Sequence, residues 1–459
     1  MDVKEALDLL GQPSEITFQS SPYLASKVRR KAAKVDADRR QKQQEPHLRK
    51  RKLSAVSKDE HRGGMSITPW ELLHTLGRAT VLAGQGSSRA LAQHWSCLKY
   101  ITTLQANDRS RMELSADGKD PTYHRKSVQA EDLGIAFALA AALRIAYERH
   151  PSYHFEVADA DVVLEAGWAL RGAEVRARED IRLRPDYFLV GIKDNEPVRI
   201  ITVECKGSHG GPDAQHVQLA KAAAQVNAVV IGGPGNGGAP PPSLLLATSL
   251  AGRGGIEMRI LDPDGDGTLV VPERGTPALN GMVDQFNELP EIPFTAPDGK
   301  DASRPGFYIP PKRSEWFSRV LTKTAAAGLL AFSGDRTAAG KLLTPRQRAR
   351  VGPTAEHPST GVACDTGITL GGLPFVGTDH VFRLGSQRIE AFSGMLEGLH
   401  RLLADDHDIQ GYESALPREW AVWRERSDDA KTDWGGALEM DADGAVLGLR
   451  IMGAGRDLR

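Results

Sequence analysis

The sequence predicts an α/β fold, a mixed sheet flanked by helices, on three observations. Two apolar runs, 187–192 and 198–203, are joined by the polar, turn-forming KDNEP, which reads as a β-hairpin. Residues 129–149 contain GIAFALAAALRIAY, which is apolar around the whole helical circumference, so this helix is buried. After SHGGPD, residues 214–226 carry Leu219, Ala222, Ala223 and Val226 at helical spacing, and short apolar strand patterns follow at 228–231, 244–248 and 255–261. Helix, three strands, helix and further strands together make a core over residues 128–275.

The hairpin carries the candidate chemistry. Asp186 stands at the mouth of its first strand, and Glu204, Cys205 and Lys206 end the second. Residues two apart on a strand share a face, so Glu204 and Lys206 project together and Cys205 faces the packed side. Pairing across the turn brings Asp186 near Glu204. Two close carboxylates repel unless a cation lies between them. A small set of hard oxygen donors suits Mg²⁺ or Mn²⁺ with several waters retained. A lysine beside them can orient a water or offset charge developing on a phosphate. A surface Glu/Lys pair on a solvated hairpin is the alternative, but a surface strand alternates, whereas IITV before Glu204 does not.

Pro185-Asp186, an intervening strand and then Glu204-X-Lys206 resembles the PD-(D/E)XK nuclease superfamily, with its restriction-endonuclease-like fold. The resemblance covers under a third of the chain. It implies phosphodiester hydrolysis with Mg²⁺ or Mn²⁺, Asp186 and Glu204 as metal ligands and Lys206 as the group that positions water. It also implies a carboxylate from the first helix, for which Glu131 is the candidate. The first-turn position of Glu131 equally suits a helix-dipole partner, and Glu165 is another source of a third acid. A Gln or Lys on the second helix facing the site is implied too, and Gln218 and Lys221 match in type and location; a plain amphipathic surface helix is the alternative. The resemblance suits a restriction or anti-phage effector acting on DNA. A nuclease-like scaffold that binds nucleic acid or a protein partner without cutting, and an enzyme that cleaves RNA, are the alternatives.

Around that core the chain divides further. Residues 1–64 read as a short helix, 3–10, and a basic arm. From residue 27 to 62 there are 14 Lys or Arg against 5 Asp or Glu, in a chain whose net charge is −1. With few large apolar residues and no apparent stripe, the arm reads as a solvated helix or a disordered segment. Its cluster Arg49, Lys50, Arg51 and Lys52 suits the phosphates of a nucleic acid. His124, Arg125 and Lys126 form a second basic cluster, just ahead of the buried helix. Residues 65–127 read as helical, opening with a capping box at Thr68-Pro69-Trp70-Glu71; a further helix over 88–105 puts Trp95 and Tyr100 in the core. A strand is expected over 154–163.

Residues 276–307 read as a linker or wrapping segment, and 308–459 as an α+β region. This last region has helices at 314–332 and 386–404 and a hairpin around DADG. DPDGDGTLVVPE, from Asp262, has calcium-loop spacing at Asp262, Asp264, Asp266 and Glu273. A strand before it, and Pro272 where the exit helix of a calcium site would already have begun, favour a structural turn instead. Three dispersed cysteines, Cys97, Cys205 and Cys364, exclude a cysteine zinc cluster and suit a reducing, cytoplasmic setting. No apolar run is long enough to span a membrane. A homo-oligomer or a partner protein remains open.

Overall fold

A computed structural model describes residues 3–43, 52–82, 93–119, 121–170, 183–193, 196–232, 238–252, 254–269, 290–295, 300–351, 364–405 and 407–453. It is mixed α/β. The elements that build the central sheet and its cover are, in chain order, helix α1 (Val3–Leu10), strand β1 (Ser14–Gln19), helix α2 (Pro22–Gln41), strand β2 (Gly64–Ile67) and helix α3 (Pro69–Thr80). Helix α4 (Tyr123–Arg149), strand β3 (His154–Asp159), the short helix α5 (Ala160–Glu165) and strands β4 (Tyr187–Ile192) and β5 (Arg199–Ser208) come next. Helix α6 (Pro212–Gln225) and strands β6 (Ser243–Ser249) and β7 (Glu257–Pro263) complete the unit.

The sheet runs β2-β1-β7-β6-β5-β4-β3, with Leu53–Ser54 paired to β7. Strands β3, β4 and β5 form an antiparallel meander. Helix α6 then carries the chain to β6, which lies parallel to β5. A parallel neighbour requires such a crossover. The order helix, three strands, helix, strand matches the sequence reading. Strand β4 is buried at every position, as a strand covered on both faces must be.

Helix α4 packs across β5 through two glycines. A Cβ at Gly207 would come within 1.7 Å of the Ala130 carbonyl oxygen, and one at Gly134 within 2.7 Å of the Gly207 backbone. The approach is therefore closer than any larger residue allows. The opposite face of the sheet receives α6, tied to it by Gln215, whose Nε2 donates to the Ala247 carbonyl at 2.8 Å.

Several expectations change. Over α2 the basic arm is the helix that one of its two readings gave, but it is not solvated all round: Leu24, Ala25, Val28 and Ala32 are buried against Leu219 and Ala223 of α6 and Val226 just beyond it. This narrow stripe of small residues is easily missed among the charges. Strands β1 and β2, on either side of it, add to the sheet. Of the basic cluster, Arg49, Lys50 and Arg51 lie outside the described residues, and Lys52 is exposed. The Thr68 capping box and the helix behind it form as read. Of the helix expected over 88–105, residues 88–92 lie outside the described residues; the rest is a 3₁₀ segment, Gln93–Tyr100, followed by the hairpin Leu104–Ala106/Met112–Leu114. Trp95 and Tyr100 are buried there, as read. The strand expected over 154–163 stops at Asp159, whose carboxylate accepts from Val162 N at 3.0 Å and caps α5.

The described part of 276–307 is more than a linker: Glu291–Thr295 pairs with Asp301–Pro305, and Phe307–Ile309 pairs with Val229–Ile231. Beyond it, helix α7 (Ser314–Phe332) forms as expected. A five-stranded sheet then follows, built from β8 (Thr366–Leu370), β9 (Leu373–Leu384), β10 (Gln387–Leu396), β11 (Ala437–Met440) and β12 (Ala445–Ile451). Residues 387–396 were expected to be helical, because Ile389, Phe392 and Met395 recur every three residues. They pair instead with both β9 and β12, and only α8 (Glu397–Ala404) is helical. The DADG hairpin is β11–β12. Helix α9 (Ile409–Trp434) packs on α8 and along this sheet. One apolar cluster runs from Leu7 through α3, α4 and α7 to Leu449, so both sheets share a core. Among the described residues no helix is long and apolar enough to cross a membrane.

Candidate active site

A cleft of about 820 Å³ opens where the ends of β3, β4 and β5 meet the first turns of α4. Its floor holds the hairpin residues. Tyr187 pairs with Val203, and one further step of that register sets Asp186 opposite Glu204. Asp186 Oδ2 accepts the Cys205 backbone N–H at 2.8 Å. Lys206 Nζ contacts Glu204 Oε1 and lies 3.7 Å from Asp186 Oδ2. The strand period and the turn thus deliver Asp186, Glu204 and Lys206 to one place. Cys205 lies on the other face of the strand, buried in the apolar cluster beneath α4, and touches the cleft from that side.

The three groups differ in exposure. Asp186 and Lys206 line the cleft, whereas Glu204 is fully buried. Burial, and then the neighbouring Asp186, raise the Glu204 carboxyl well above the usual carboxylate range. Burial also raises Asp186, against the pull of Lys206 and the Cys205 N–H. Burial opposes charge on Lys206, but the two carboxylates outweigh it and raise its pKa. Glu204 Oε2 is buried and has no hydrogen-bond partner. An orphaned acidic oxygen beside a second carboxylate fits a hard divalent cation. The fit rests on two protein ligands: among the described residues, no group of three or more His, Cys, Asp or Glu is arranged to hold a metal.

The other expected residues divide. Glu131 lines the cleft from α4 and is exposed, but does not complete a three-ligand group. Glu165 is buried at the end of α5, outside the cleft lining. His124, Arg125 and Lys126 lie in the first turn of α4 rather than ahead of it, and of these only Lys126 lines the cleft. Gln218 Nε2 donates to the Gly207 carbonyl at 2.9 Å and so braces the strand just after Lys206. Lys221 faces away, into a groove against α2. Of the calcium-loop acids, Asp262 accepts from Arg149 Nη2 at 2.7 Å and Asp264 from Ser54 Oγ at 3.1 Å. Glu273 lies outside the described residues.

Asp159, Asp161, Arg184 and Gln225 also line the cleft, and the sequence reading passed over them. Arg184 grips Asp161 through two nitrogens, Nη2 at 2.8 Å from Oδ2. Gln225 Nε2 donates to the Arg184 carbonyl at 3.3 Å. The signal was the triplet Asp159-Ala160-Asp161, hidden by reading β3 four residues too long. Asp132, on the same rim, is held by Tyr100 Oη at 2.7 Å and Lys99 Nζ at 2.6 Å.

No family model, no curated protein and no solved structure matches this chain.

Proposed function

We propose that the chain is a metal-dependent nuclease of the PD-(D/E)XK type, with a restriction-endonuclease-like core and DNA as its first substrate. The observation that carries this reading is the meeting of Asp186 and Lys206 in one cleft with Glu204 buried against Lys206, Lys206 Nζ being 3.7 Å from Asp186 Oδ2. The order of α4, the β3–β5 meander, α6 and the parallel β6 supports the fold part of the reading.

In this reading Asp186 and Glu204 would hold Mg²⁺ or Mn²⁺, which would supply Lewis acidity at the scissile phosphate. The Cys205 N–H fixes the Asp186 carboxylate, so one oxygen is already oriented. Lys206 lines the cleft and carries the positive charge that orients water and offsets charge developing on the phosphate. Gln218 acts at one remove, by holding the Gly207 carbonyl next to Lys206.

The test is incubation of the pure protein with plasmid, linear duplex, single strands and RNA, in Mg²⁺, Mn²⁺ or EDTA. Cleavage that needs metal and disappears in Asp186→Ala is the expected result. If wild type binds nucleic acid but cuts none under any metal, a binding scaffold replaces the enzyme. If Asp186→Ala cuts as well as wild type, the active centre is elsewhere.

A further inference from the structure

The candidate cleft is poorly charged for its proposed substrate. Glu131, Asp132, Asp159, Asp161 and Asp186 line it, against Lys126, Arg184 and Lys206. Metal ions offset this at the reacting phosphate only, so the flanking phosphates need cations elsewhere. A second groove, of about 450 Å³, runs between α2 and α6. Among the described residues, Arg39, Lys42 and Lys221 line it, with Asp38 as the one acid. Lys42 and Lys221 are exposed.

The two depressions adjoin. Gln225 lines both, and the adjacent residues Leu183 and Arg184 line the groove and the cleft respectively. Upstream of the groove, α2 docks its Leu24, Ala25, Val28 and Ala32 on α6. Arg39 and Lys42 stand at the far end of α2 from that stripe, and Lys221 stands one helical turn before Gln225 on α6.

We propose that this groove carries the phosphodiester backbone of a nucleic acid strand out of the cleft, with Lys42 and Lys221 facing successive phosphates. The proposal rests on the nuclease reading above. It gives Lys221 a binding role in place of the catalytic one expected from the sequence, and it gives α2 a role in substrate binding.

The experiment measures binding of fluorescein-labelled single-stranded and duplex DNA 24-mers by anisotropy, across a salt series, with full-length protein carrying Asp186→Ala to prevent cleavage. Lys42→Ser/Lys221→Ser is added to that background and compared with the charge-matched pair Lys341→Ser/Arg383→Ser. Each phosphate contact contributes about 0.7 (single strand) to 0.9 (duplex) to the slope of log affinity against log salt. The groove pair is expected to lower that slope by about 1.4 to 1.8, and the control pair to leave it unchanged. An unchanged slope in the groove pair, with the parent protein still binding, overturns the groove and leaves the nuclease reading standing. A parent that binds no DNA, from a wild type that cuts none, overturns both. Circular dichroism of the groove pair checks its fold, which both side chains, being exposed, leave intact.

Discussion

Lys206 occupies the space between two carboxylates, and this makes its role separable from theirs. It contacts the buried Glu204 and stands 3.7 Å from Asp186. Truncating it leaves both proposed metal ligands and removes the cation that competes for them. Lys206→Ala is therefore expected to bind Mg²⁺ more tightly than wild type, seen as a larger thermal shift on adding metal, while cutting about 10²–10³ times more slowly. Asp186→Ala should lose the metal-induced shift together with activity. Equal shifts in wild type and Lys206→Ala would remove the lysine from the cation's surroundings. This trio was legible in the sequence because its two determinants are local. A strand alternates faces, and a short turn sets the register of a hairpin. Asp159, Asp161 and Arg184 were not legible in the same way. The pairing of β3 with β4 brings them to the cleft, and that pairing depends on where β3 stops.

At the scale of elements, the cleft depends on how closely α4 lies on β5. Gly207 follows Lys206 directly, and a methyl group there would lie 1.7 Å from the Ala130 carbonyl oxygen. Backbone cannot yield as a flexible side chain can, so α4 must lift. Gly207→Ala is expected to cost about 3 kcal/mol, the upper part of the usual overpacking range, read from the midpoint of urea unfolding. Lifting α4 also carries Lys126 and Glu131 away from Lys206, so cleavage should fall even in the fraction that stays folded. Wild-type stability in Gly207→Ala would mean the two backbones are not in contact. The helix itself was readable, since an all-round apolar helix has to be covered. The failures lie where one pattern serves two periods. Ile389, Phe392 and Met395 fit a helix, yet β10 is buried at nearly every position from Ile389 to Leu396 because β9 and β12 flank it. The stripe on α2 failed differently: three of its four residues, Ala25, Val28 and Ala32, are small, and nothing local identifies the helix they meet.

At the scale of the whole molecule, the C-terminal sheet is bound to the central one by polar groups as well as by the common apolar core. Trp70 Nε1 of α3 donates to the Leu447 carbonyl at 3.0 Å, and Tyr412 Oη of α9 donates to Glu156 Oε1 of β3 at 3.0 Å. Between them, Arg78 Nη2 meets Asp443 Oδ2 at 2.8 Å, with both side chains largely buried. Burial alone would raise the Asp443 carboxyl, but Arg78 outweighs it and holds the group below its usual range. Burial also keeps His74 beside them neutral, with its pKa lowered to about 3. Removing Arg78 leaves Asp443, Asp441 and Glu156 without the cation they face. Arg78→Ala is expected to cost about 3–5 kcal/mol at neutral pH, as breaking a buried pair does. The pH dependence follows from the depressed Asp443. Its contribution is present above the ordinary carboxylate pKa of 3.8 and is lost as pH falls through the lower folded value. The stability gap between wild type and Arg78→Ala, measured by urea unfolding, should therefore be full at pH 6 and shrink below pH 4. Because the pair joins the two sheets, the variant should unfold in one transition, with tryptophan fluorescence and circular dichroism moving together. Two separated transitions, with the cleft residues surviving the first, would make the C-terminal sheet an independent unit and return the chain to the domain division read from its sequence.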